Sequence, residues 1–104
     1  MDEAVSALAA RLARRLKAVD GTICCAESCT GGLLSSTLTD LSGASEWYRQ
    51  SWITYTDEAK HRHLGVPLEL LETEGAVSPE VALAMAEGAR ERAGTTLAIS
   101  ITGI

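Results

Sequence analysis

The stretch "CCAESCTGG", residues 24–32, decides the reading of the fold. An apolar run hands a carboxylate, a hydroxyl and a thiol to a double glycine, and a leucine-rich pattern at helical spacing follows. With Thr22 and Ile23 before it, "TICCA" reads as a short strand that is apolar on both faces, as parallel strands covered by helices are. Gly31 and Gly32 permit a sharp turn into a helix whose Leu34, Leu38 and Leu41 form one stripe. Gly43 ends that helix. The unit strand, tight turn, helix is the building block of an α/β sheet.

The pattern extends in both directions. Residues 3–18 place Val5, Leu8, Leu12 and Leu16 at helical spacing, and Gly21 stops that helix. "EWYRQSWITYT", residues 46–56, is aromatic and β-branched and reads as the next strand, with Ile53 and Tyr55 on one face and Trp52 and Thr54 on the other. "DEAKHRHLG" predicts a short helix from Asp57 to Leu64, closed by Gly65, and Pro67 opens a further turn, "PLELLE". "SPEVALAMAEGARERAG" carries Ser78 as N-cap, Pro79 at the first helical position, arginines near the end and Gly94 after it. "TLAISITG" is a final apolar strand. The order is helix, strand, helix, strand, helices, strand. It predicts a three-layer α/β/α sandwich with a mostly parallel or mixed sheet, in one domain over residues 1–104.

Composition narrows the function. The chain has 104 residues, 46% hydrophobic and 22% charged, with a net charge of −5. Nucleic-acid binding relies on clustered cations. The densest run here, Arg11, Arg14, Arg15 and Lys17, sits on one helix and reads as a solvated face. No apolar run approaches the roughly eighteen residues of a membrane span. The acidic, then amphipathic start is unlike a signal peptide. Cys24 and Cys25 are adjacent and diverge on a strand, so three reduced thiols in a cytoplasmic protein are expected. For the same reason, and because no CxxC pair exists, Cys24, Cys25, Cys29, His61 and His63 are not expected to form a metal site.

Ligands of parallel sheets gather at the carboxyl ends of the strands. Three polar clusters fall there: Glu27-Ser28-Cys29-Thr30, Tyr55 to Lys60, and Thr102-Gly103. Ser28 has two readings. It is an N-cap worth about 1 kcal/mol, or a nucleophile beside helix-terminal amides that hold an oxyanion or a phosphate. The spacing is neither a P-loop nor GxSxG, because the glycines follow the serine. A serine needs a base. His61 and His63 read as solvated. Lys60 is either a surface lysine or a base whose pKa burial has lowered from about 10.4. Tyr55 could relay a proton or orient that amine. Cys29 is either a small packed residue or a thiol nucleophile. Glu27 reads as a hydrogen-bond or salt-bridge partner near the turn, Thr102 as a strand or turn residue, Met85 as core, and Trp47 and Trp52 as aromatics covering the sheet.

"AESCTGG", "WITYTDEAK", "GAVSPEVALAMAEGA" and "SITGI", in that order, resemble the C-terminal domain of the CinA (competence/damage-inducible) family from about Thr22 onward. The resemblance implies a nicotinamide-nucleotide amidohydrolase. Such an enzyme cleaves the carboxamide of nicotinamide mononucleotide to nicotinic acid mononucleotide and ammonia, with no cofactor and no metal. It implies Ser28 as nucleophile, Lys60 as general base and Tyr55 as assistant. Glu27, Cys29, Thr30, Gly31, Gly32 and Thr102 would line the substrate and oxyanion site. Asp57 stands where the family often has Asn. The family pattern continues past the SxTG block with a glycine-rich loop, further strand and helix, and a basic residue. The resemblance therefore implies a domain incomplete at its C-terminus, with an open sheet edge, and a homo-oligomer whose other chain could complete the site. The rival reading is a nucleotide-binding or assembly module without turnover.

Overall fold

The computed structural model describes residues 2–104. Three parallel strands, β1 (Ile23–Glu27), β2 (Tyr48–Ile53) and β3 (Leu97–Ile101), form a sheet in the order β2-β1-β3. Cys25 stands opposite Ser51 on one side and Ile99 on the other, and Glu27 opposite Ile53 and Ile101. The sheet is thus wholly parallel, with its three carboxyl ends level.

Alternation along the central strand builds the two outer layers. Ile23 and Cys25 point into a core made by Ala9, Ala13 and Leu16 of α1 (Glu3–Ala18), Leu38 of α2 (Leu33–Thr39), Ala44 and Trp47. Cys24 and Ala26 point the other way. There they meet Leu64 of α3 (Asp57–Leu64), Leu71 of α4 (Leu68–Glu74), and Val81, Met85 and Ala89 of α5 (Pro79–Ala93). All five β1 residues are buried, as expected of a strand covered on both faces. The three-layer α/β/α fold expected from the sequence is the one observed.

Local chemistry sets most boundaries as expected. Ser78 Oγ accepts the Val81 amide at 3.2 Å and Pro79 opens α5. Thr56 Oγ1 accepts the Ala59 amide at 3.1 Å and Gly65 closes α3 in the left-handed region. Three details differ. The second strand is Tyr48–Ile53, shorter than residues 46–56, because Ala44–Glu46 forms a 3-10 turn that drives Trp47 into the core. The second helix ends at Thr39, short of the stop expected at Gly43, so Leu41 lies beyond it. The first helix keeps its expected span, Glu3–Ala18, with Asp20 at a positive φ of 54° beyond it. That helix also buries Ala9 and Ala13 beside Leu16 in the core, where Leu12 is only partly buried. Val5 and Leu8 remain exposed along an apolar groove shared with Leu12, Leu34, Leu38 and Ile99.

One close approach positions α3. A Cβ on Gly88 of α5 would lie 1.9 Å from the Leu64 carbonyl oxygen, so only glycine lets the C-terminal end of α3 rest on α5. Among the described residues, no helix is long and apolar enough to cross a membrane.

Candidate active site

β1 ends in adjacent residues sent to opposite layers. Ser28 follows Glu27 and is still held to β3, its amide donating to the Ile101 carbonyl at 3.0 Å. Its side chain turns toward α3. There Lys60 Nζ donates to Ser28 Oγ at 3.0 Å and also lies 3.0 Å from the Thr54 and Tyr55 carbonyl oxygens. Lys60 is only 1% exposed. Among the described residues it makes no ion pair with a carboxylate. Burial holds its pKa below the ordinary lysine value, and Asp57 and Cys29 oppose that shift more weakly.

The geometry suits an uncharged amine. Neutral Lys60 has two N–H groups and one lone pair. The two carbonyls can take the N–H groups, which leaves the lone pair to accept the Ser28 hydroxyl proton. If the lysine is charged, its third N–H points to Ser28 Oγ, and the serine hydroxyl can donate to the Tyr55 carbonyl at 3.3 Å. The same heavy atoms accommodate both ends of a proton transfer.

Ser28 caps no helix. The N-cap of α2 is Gly32, at φ 108°, without a side-chain cap of its own. A Cβ there would meet Ile53 Cδ1 at 3.1 Å, and a side chain would be strained by that φ. Glu27 supplies the cap instead. It is fully buried, and its carboxylate accepts from the amides of Gly32, Leu34 and Ser35 and from the hydroxyls of Thr30 and Ser35. Burial alone would raise its pKa. The bonds from Ser35, Thr30 and Leu34 outweigh burial and hold it below the ordinary glutamate value.

That arrangement changes the expectation for the amide-rich turn. The Gly32 amide is taken by Glu27, and the Gly31 amide donates to the Ser28 carbonyl at 3.1 Å. Neither is free for an anion, so the glycines shape the turn rather than donate from it. Among the described residues, the amides of Cys29 and Thr30 donate no hydrogen bond. They follow Ser28 directly in the chain and are two backbone donors that no acceptor takes.

The other expected residues fall as follows. Tyr55 joins the pair through its carbonyl, while the residue as a whole is 73% exposed. Cys29 is exposed rather than packed, and its Sγ lies 3.2 Å from where a Gly103 Cβ would sit. The SxTG segment thereby reaches the serine turn. Thr102 follows β3, its hydroxyl donating to the Ala76 carbonyl at 2.8 Å. His61 and His63 are exposed on α3, and His61 Nδ1 meets the Val66 carbonyl. Nothing in the local sequence singles out Thr54, whose buried carbonyl is one of the three oxygens around Lys60 Nζ. Gly88, which seats α3, carries one signal only, that of a glycine inside a strong helical pattern.

Fold and site together define a class: an α/β domain with a buried serine–lysine pair at the carboxyl edge of a parallel sheet. The chain belongs to the CinA C-terminal domain family, whose profile matches residues 5–104. It is 53% identical to a CinA-like protein of Geotalea daltonii over 85% of this chain and 21% of that protein. It is 52% identical to a CinA-like protein of Syntrophomonas wolfei over 99% of this chain and 24% of that protein. The crystal structure of competence/damage inducible protein CihA from Agrobacterium tumefaciens superimposes with a TM-score of 0.97 at 39% identity, over 100% of this chain and 63% of that one. A CinA superfamily protein from Escherichia coli gives 0.94 at 39% identity, over 99% of this chain and 61% of that one. The chain thus spans about a fifth to a quarter of the curated relatives.

Proposed function

We propose that the domain is an amidohydrolase that cleaves the carboxamide of nicotinamide mononucleotide through a Ser28 acyl-enzyme. One observation carries the chemistry: a buried lysine without a carboxylate partner, its Nζ 3.0 Å from a serine oxygen. The substrate rests on the resemblance of "AESCTGG", "WITYTDEAK" and "SITGI" to the family's amidohydrolases.

Lys60 Nζ takes the Ser28 proton as Oγ bonds to the carboxamide carbon. The amides of Cys29 and Thr30 receive the developing oxyanion. The Lys60 ammonium then gives its proton to the leaving nitrogen, the C–N bond breaks, and ammonia departs. Water attacks the ester with Lys60 again accepting a proton. The C–Oγ bond breaks, Ser28 regains its hydrogen, and nicotinic acid mononucleotide leaves.

The test is direct. Purified protein is mixed with nicotinamide mononucleotide, and ammonia and nicotinic acid mononucleotide are quantified. The reading expects both in equal amounts, and neither from Ser28→Ala. Binding of the nucleotide without ammonia release would replace it with the rival, a binding module.

A further inference from the structure

The Glu27 carboxylate makes no hydrogen bond to Ser28 or Lys60, yet it organises the chain between them and α2. Five donors converge on it: Thr30 Oγ1 at 2.6 Å, the amides of Gly32, Leu34 and Ser35 at 3.2, 3.0 and 2.8 Å, and Ser35 Oγ at 2.5 Å. Ser35 Oγ also lies 2.5 Å from Ser51 Oγ, which the Tyr48 hydroxyl meets from the other side. One carboxylate therefore ties the end of β1 to the start of α2 and, through two serines, to β2.

We propose that Glu27 is a positioning residue for the oxyanion site: it draws the first-turn donors of α2 onto itself and so fixes the Ser28–Thr30 turn with the Cys29 and Thr30 amides left free beside the serine. The inference rests on the serine–lysine reading above. Its physical basis is competition among donors. Without the carboxylate, three amides and two hydroxyls lose their acceptor at a buried place, and the turn rearranges to find others. The carboxylate also cancels the positive end of α2. Stabilisation of an oxyanion then falls to the two amides that precede the helix.

The test is the rate at which a fluorophosphonate labels Ser28, followed by intact mass across pH in the wild-type chain and in Glu27→Gln. The amide that replaces the carboxylate turns an N–H group toward donors. Labelling needs the nucleophile, the base and the oxyanion donors, but not the nucleotide. With the fold intact by circular dichroism, the expected result is a labelling rate about 100-fold lower, as for loss of an oxyanion donor. The pH midpoint, which reports Lys60, stays in place. A folded Glu27→Gln that labels at the wild-type rate overturns the proposal. So does one that shifts the midpoint while keeping the plateau, because Glu27 would then act on the lysine. If Glu27→Gln does not fold, Thr30→Val removes one of the five bonds and keeps the charge. A several-fold slower label at unchanged midpoint supports the proposal, and an unchanged rate overturns it. A wild-type chain that never labels at Ser28 overturns both this inference and the serine–lysine reading. A labelled wild type with an equally reactive Glu27→Gln removes this inference alone.

Discussion

Glu27 and Ser28 are neighbours in the chain whose side chains serve opposite layers of the molecule. Glu27 closes the start of α2 on one face of the sheet, and Ser28 meets Lys60 of α3 on the other. The strand's two-residue period separates the carboxylate that caps α2 from the hydroxyl that faces Lys60. The carboxylate therefore does not pair with the lysine, and Lys60 keeps a lowered pKa.

Ser28→Ala and Lys60→Met should each reduce amide hydrolysis by about a thousandfold or more, since nucleophile and base act as a unit. Cys29→Ala should keep most of the activity, because in the proposed mechanism that residue acts through its backbone amide, which alanine retains. Steady-state ammonia release from the three variants checks this. Abolished turnover in Cys29→Ala alone would make the thiol the nucleophile.

Lys60 should leave a signature in stability against pH. Its folded pKa lies below that of the unfolded chain. Between the two values the unfolded chain holds a proton that the folded chain does not, so stability rises with pH through that window. Below the folded pKa both states are protonated and the gain is absent. Melting temperatures of the wild-type chain relative to Lys60→Met, measured from neutral pH to about pH 10.4, the ordinary lysine value, should show the wild type gaining as pH rises.

The sign for Glu27 follows from its depressed pKa. Its contribution is present above the unfolded value and is lost as pH falls through the folded one. At neutral pH Glu27→Gln should cost about 2–3 kcal/mol, from donors left without a charged acceptor. Urea denaturation of both proteins at pH 7 and at successively lower pH should show the gap closing in acid.

Gly88→Ala should destabilise the fold by at least about 1–3 kcal/mol, the ordinary cost of overpacking. The new methyl group meets a backbone carbonyl, which cannot rotate away as a side chain could. The end of α3 must move, and Lys60 with it. Denaturant midpoints and ammonia release should fall together. A variant of wild-type stability would mean that α3 is not seated on α5 as observed.

The three thiols should separate by access. Cys24 and Cys25 are buried on opposite faces of β1, and burial pushes Cys25 up to about 11. Cys29 is exposed. Iodoacetamide near pH 8 should modify one thiol in the folded chain and three in urea, read by intact mass.

Much of this is legible in the sequence. The double glycine after a doubly buried strand, the Ser78-Pro79 start and Gly94 end of α5, and the Asp57–Leu64 helix closed by Gly65 are local features. Each depends on backbone conformation, capping or period within a few residues, which the amino acids themselves specify. The placement of three polar clusters on one sheet edge also follows from strand order and parallel connection. Three other matters belonged to the tertiary structure. They are which residue caps α2, which amides remain free, and whether Lys60 is a surface cation or a buried amine. The first two turn on how the buried Glu27 carboxylate draws in the amides of Gly32, Leu34 and Ser35, a choice among near neighbours that burial decides. The third turns on contact between segments far apart in the chain, Lys60 with Ser28, 32 residues away. A lysine's charge state depends on the water removed from around it, and only packing removes that water.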